Sequence, residues 1–184
     1  MTSERIIGID PSNQECGIVV LDKGQITTAF NINSELFWNK ITNFLVHRDF
    51  SVVIEDLRPY TTRLTQQVID TAKFIGVAEY RLKCEVGANT QFVARNEVKK
   101  WCFDTFPHVC VPIIDKVIER KDYRNKDGEL RKASFVYCND SVIQKCMVDY
   151  YQIPFPKAGK GYLHGLKSHS WQALALATMF YNSD

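Results

Sequence analysis

At 184 residues, 45% hydrophobic and 24% charged, the chain has the size and mixture of one globular domain. It holds no apolar run long enough for a membrane span, and Met1-Thr2-Ser3-Glu4-Arg5 leads into the first strand without a signal peptide, so a cytoplasmic protein with no membrane partner is expected. The net charge of +2 hides an asymmetry: residues 116–167 hold eleven Lys+Arg against six Asp+Glu, a balance of +5, while the rest hold twelve against fifteen, a balance of −3; the basic third points to a polyanion partner.

Ile6, Ile7 and Ile9 make residues 5–9 a strand buried on both faces, and Pro11, Ser12 and Asn13 stop it at once. Asp10 therefore stands at a strand's carboxyl end, where open α/β sheets bind ligands; the plainer alternative is an Asp-Pro turn. Residues 16–21 read as a second strand, Asp22-Lys23-Gly24 as a tight turn and residues 25–31 as a third strand. Ser34 is the expected cap of a helix to about Arg48, with Leu36, Phe37, Ile41, Phe44 and Leu45 along one side. Residues 51–55 form another compact strand, ending in Glu55, followed by a loop through Pro59.

From Arg63 to Lys83, apolar residues recur at threes and fours, which predicts a helix; Gly76 inside it costs about 1 kcal/mol unless something packs close. Residues 90–93 read as a fifth strand, and Asn96 as the cap of a short helix through Asp104. Residues 105–166 look less regular. Pro107 and Pro112 interrupt the apolar stretch 108–114, a run of mixed charge follows, and a strand over 134–138 and a helix over 140–150 are expected. Residues 157–167 form a basic loop without an acid, and Ser168 caps a last helix to Tyr181, with Trp171, Leu174, Ala175, Thr178 and Met179 inward and Ala173 and Ala177 permitting close packing. The six cysteines form no C-x-x-C pair and read as buried free thiols. The order of elements argues for a mixed five-stranded α/β sheet with helices on both faces, in one domain spanning 1–184 with a basic insertion at about 105–166.

Two strands end in acids. If the first and fourth are parallel neighbours, Asp10 and Glu55 lie together and repel unless a cation sits between them. Mg²⁺ suits such a place: it takes oxygen ligands and is commonly held by one or two carboxylates plus substrate phosphate. The solvent-facing alternative is that Glu55 and Asp56 merely end their strand.

The strand order, with Ile6-Ile7-Gly8-Ile9-Asp10-Pro11-Ser12, Val52-Val53-Ile54-Glu55-Asp56 and the final Ser168-His169-Ser170-Trp171-Gln172-Ala173-Leu174-Ala175-Leu176-Ala177, resembles the RuvC-type Holliday-junction resolvases of the RNase H-like superfamily, of the phage or mobile-element kind. The likeness covers the first hundred or so residues and the last helix. It implies a Mg²⁺-dependent endonuclease, with Mn²⁺ as a substitute ion, that cuts four-way or branched DNA as a homodimer, with no small-molecule cofactor. It implies that Asp10, Glu55 and His169 are catalytic and that these three with Gln172 form the metal set. The family normally has Asp where this chain has Gln172, which supplies a carbonyl but no charge. Three readings stay open: the remaining residues suffice, with or without help from Asp56; another acid such as Asp140 fills in; or the protein binds junctions and cuts them weakly or not at all.

For DNA contact, the basic third offers Arg120, Lys121, Arg124, Lys126, Arg131, Lys132, Lys157, Lys160 and Lys167 for phosphates and Tyr162 for stacking on an unpaired base. Arg58 and Tyr60 follow Glu55 and are placed to touch the strand being cut. The small residues of the 63–83 helix suit packing either on the sheet or on a second copy. An actin-like or sugar-kinase-like ATPase shares the strand-Asp-turn start, but the chain shows neither a duplicated domain nor a Gly-rich adenosine site.

Overall fold

The computed structural model describes residues 5–45, 50–57, 65–120, 137–153, 166 and 168–183. Five strands form one sheet in the order β3-β2-β1-β4-β5: β1 (Arg5–Asp10), β2 (Glu15–Asp22), β3 (Gln25–Asn33), β4 (Phe50–Asp56) and β5 (Asn89–Ala94). β1 to β3 are an antiparallel meander, while β4 and β5 run parallel to β1. Lys23 and Gly24 make the first hairpin turn with φ of 50° and 75°, the twist a two-residue turn needs. This is the mixed sheet expected from the order of elements.

Side chains alternate across each strand, and the alternation sorts the core into two layers. Ile7, Ile9, Ile18, Val20, Val52 and Ile54 face α1 (Phe37–Leu45) and α2 (Gln66–Tyr80) with its π-helical extension Arg81–Val86. Ile6, Val19, Leu21, Val53 and Val93 face the other way, toward α3 (Arg95–Thr105), α4 (Pro107–Arg120), α5 (Asp140–Tyr150) and α6 (Ser168–Tyr181).

Helix α6 lies directly on β1 and β2, and two glycines allow it. A Cβ on Gly8 would come within 2.3 Å of the Ala173 carbonyl oxygen, and one on Gly17 within 2.2 Å of the His169 backbone. From Ser170 to Thr178 every residue of α6 is buried, because α5 covers its outer side; the sequence pattern anticipated only one inward face.

Several local expectations change. Asn33, rather than Ser34, caps the 3₁₀ turn Ser34–Leu36 that precedes α1, while the Ser34 hydroxyl donates to the Ser12 carbonyl at 2.7 Å. Leu36 is exposed, since the 3₁₀ turn places it off the apolar stripe. Asn96 lies inside the first turn of α3, which begins at Arg95. Residues 108–114 are helical: Pro107 occupies the first position of α4, where a missing N–H costs nothing, and the helix continues through Pro112. Tyr137 and Cys138 belong to no strand; residues 134–136 lie outside the described residues. The thiols are free, as expected: five are buried and Cys84 is exposed. Cys110 lies 3.5 Å from Cys146 and 3.8 Å from Cys138, packed among α4 and α5.

Candidate metal centre

The parallel strands β1, β4 and β5 end together, and each delivers a charged side chain. Asp10 closes β1. Glu55 stands in β4 one residue beyond Ile54, which pairs with Ile9. Arg95 opens α3 directly after Ala94, the last residue of β5. By strand alternation Asp10 shares the face of Ile6 and Gly8, and Glu55 that of Val53, so both face the α6 layer.

Both carboxylates are buried. Oδ2 of Asp10 accepts a hydrogen bond from Nδ1 of His169 at 2.9 Å. Oε1 of Glu55 accepts from Nη1 of Arg95 at 3.2 Å, and Nη2 of Arg95 donates to Oδ1 of Asp140 in the first turn of α5. Burial pushes the Asp10 carboxyl above its ordinary range, against the pull of His169. Burial, reinforced by the nearby Asp10 charge, pushes Glu55 up to about 7. His169 is raised by its bond to Asp10. Two buried acids side by side that resist ionising make this strand edge a candidate cation site.

Gln172 supplies an independent mark. It sits one turn beyond His169 on the same face of α6, is only 3% exposed, and among the described residues neither its Oε1 nor its Nε2 has a hydrogen-bond partner. Leaving a buried polar group unpaired costs about 1–3 kcal/mol, so the orphaned amide, one turn from the histidine that bonds Asp10, is a candidate donor to a ligand. Among the described residues, no three His, Cys, Asp or Glu side chains form a ready-made metal cage. Mg²⁺ needs none, because one or two carboxylates with substrate phosphate are its usual protein share. The donor set of two carboxylates, an amide oxygen and an imidazole fits a hard divalent ion.

Of the residues proposed from sequence, the structure brings His169 onto Asp10 and ties Glu55 to the same charged network. Among the described residues, Asp140 bonds to that network through Arg95. Arg58, Tyr60, Lys121, Arg124, Lys126, Arg131, Lys132, Lys157, Lys160, Tyr162 and Lys167 lie outside the described residues, as does the side chain of Arg120 at the end of α4. Arg95 was missed. A fifth strand read at 90–93 stops short of Ala94, so the strand-end rule that singles out Asp10 and Glu55 does not reach Arg95, which the longer β5 brings to the same sheet edge.

No family model and no curated protein matches the sequence. Solved structures do match the fold. One is Thermus thermophilus RuvC in complex with a Holliday-junction substrate, at 13% identity and a TM-score of 0.52, covering 97% of this chain and 94% of that one. Another structure of Thermus thermophilus RuvC matches at 14% identity and a TM-score of 0.50, covering 97% and 95%. The yeast mitochondrial Holliday-junction resolvase Ydc2 matches at 11% identity and a TM-score of 0.42, covering 99% and 85%. At these identities the two RuvC matches show the fold alone: the chain shares the architecture of RuvC.

Proposed function

We propose that this RuvC-like chain is a Mg²⁺-dependent, structure-selective endonuclease of four-way or branched DNA. The observation that carries the reading is the pair of buried carboxylates, Asp10 and Glu55, at adjacent parallel-strand ends beneath the His169–Gln172 turn of α6. Asp10 and Glu55 hold the ion, with the Gln172 carbonyl as a neutral third donor. The ion supplies Lewis-acid stabilisation of charge on the phosphodiester oxygens. His169 donates through Nδ1 to Asp10, which fixes the imidazole and leaves Nε2 as the nitrogen that exchanges a proton with attacking water. The Lys and Arg side chains of residues 116–167 track backbone phosphates, and such contacts carry affinity without sequence readout.

A labelled four-way junction incubated with Mg²⁺ or Mn²⁺ tests this: paired nicks are expected, lost in Asp10→Asn and Glu55→Gln. Cleavage that survives both changes overturns the assignment. Gln172 and the Glu55–Arg95 pair favour a second reading, a junction binder that cuts weakly or not at all. Tight junction binding without nicks, converted to cleavage by Gln172→Asp, would select it.

Two copies are needed to nick a four-way junction symmetrically. The outer side of α2 suits the contact, with Ile69, Val77 and Tyr80 exposed at 36%, 47% and 62%. Light scattering should give a dimer, shifted toward monomer by Val77→Asp; a wild-type monomer on DNA rejects this arrangement.

A further inference from the structure

The metal reading does not call for a cation built into the protein, yet Arg95 is one. Its side chain is 32% exposed, held between Glu55 and Asp140 by two guanidinium nitrogens. A planar fork bridging two acids is a fixed charge in a fixed place, unlike a flexible surface lysine. Arg95 bonds Glu55 directly and is tied by its other terminal nitrogen to Asp140, so its charge is fixed at the strand end that carries Glu55.

The charges can be counted. With both strand-end acids ionised, the state a bound cation requires, Asp10, Glu55 and Asp140 contribute three negative charges, and Arg95 returns one positive. Gln172 contributes none, and neither does His169 when it is neutral. The remaining two negative charges balance one divalent ion. A second ion would meet the guanidinium on Glu55 and would have only the neutral amide of Gln172 on the α6 side. The absence of an acid at 172 and the presence of Arg95 on Glu55 thus point the same way. The orphaned Gln172 amide shows that the α6 side still has a polar donor to offer to the one ion that remains.

We propose that Arg95 stands in for a second divalent cation, so that this centre takes a single divalent ion, with Arg95 and Asp140 as positioning residues for Glu55. The proposal rests on the metal reading above and concerns how many ions that reading involves. A purely structural tie between α3 and α5 would leave the ion count unchanged.

Mn²⁺ binding to the full-length chain without DNA, counted by electron paramagnetic resonance of the unbound ion, provides the test. The wild type should bind one Mn²⁺ per chain. Arg95→Gln should bind two, with its fold checked by circular dichroism, and Arg95→Lys, which keeps the charge, should stay at one. If Arg95→Gln fails to fold, Asp140→Asn removes an exposed acid instead and should weaken Mn²⁺ binding about tenfold at unchanged stoichiometry. Two ions on the wild type, a folded Arg95→Gln still at one, or an Asp140→Asn affinity equal to wild type overturns the proposal while leaving the metal reading in place. No Mn²⁺ on the wild type removes the metal reading and this inference with it.

Discussion

The two faces of the sheet are covered differently. On one, α1 and α2 form a single layer, and α2 keeps Thr71, Ile75 and Ala78 inward while Ile69, Val77 and Tyr80 remain exposed. On the other, α6 lies against the strands and α5 lies against α6, so the middle of α6 is buried on all sides. Asp10 and Glu55 both face the doubly covered side. There, burial is deep enough to make ionisation costly, which a single amphipathic layer does not achieve. The difference teaches where an acid of ordinary sequence context comes to resist ionising: at the strand ends beneath the buried helix.

The comparison can be broken most forcefully at the acids. Asp10→Asn or Glu55→Gln should cut junction cleavage by about 10²–10³-fold, read from initial rates with Mg²⁺, while the uncharged amides leave the fold intact. Next in size is the seating of α6. Gly17→Ala places a methyl group against the His169 backbone, and Gly8→Ala places one against Ala173. Each should cost about 3 kcal/mol or more in urea unfolding, because backbone cannot yield as a side-chain tip can. If either is neutral, α6 is seated more loosely than the contacts indicate.

The third test is pH. Glu55 rises from an ordinary value of 4.5 to about 7 in the folded, metal-free protein, so between those values the folded state keeps a proton that the unfolded state has released. Stability should therefore fall as pH rises from about 4.5 to 7. The loss is at most about 3 kcal/mol, at 1.36 kcal/mol per pK unit. Asp10 and His169, both raised, act with the same sign. Thermal melts across this range should show the slope, and Glu55→Gln or added Mg²⁺ should flatten it. A stability that climbs over the same interval contradicts the burial argument.

The smallest effect belongs to the singly covered face. Nothing lies within 4 Å of a Cβ built on Gly76, which is exposed in mid-helix. Gly76→Ala should stabilise the protein by about 0.4–1 kcal/mol, read as a higher urea midpoint. A loss of stability would show that this face is covered in solution.

Much of the fold was legible because it depends on local chemistry. The β-branched run Ile6, Ile7 and Ile9 ends at Pro11, and the run Val52, Val53 and Ile54 ends at acids, so two strand ends carrying carboxylates could be read directly. Helix α4 was misread because Pro107 and Pro112 look like breaks, whereas proline at a first helical position is no break, and burial of Cys110 and Ile114 carries the helix past Pro112. Asp10, Glu55, His169 and Gln172 were singled out from the sequence as a candidate site, but Arg95 was not. Its partners Glu55 and Asp140 lie forty residues behind it and forty-five ahead, and no periodicity spans such gaps.

Sequence by itself therefore determined the five strands, most of the helices, the two acid-ended strands and the basic third of the chain, because hydrophobic period and strand-breaking residues act over a few positions. Only the tertiary structure decided which strands are neighbours, that α6 is buried on every side, that Gln172 has no partner among the described residues, and that Arg95 bridges Glu55 and Asp140. Those outcomes arise from packing and charge between residues far apart in the chain, and distances of that kind exist only once the sheet has formed.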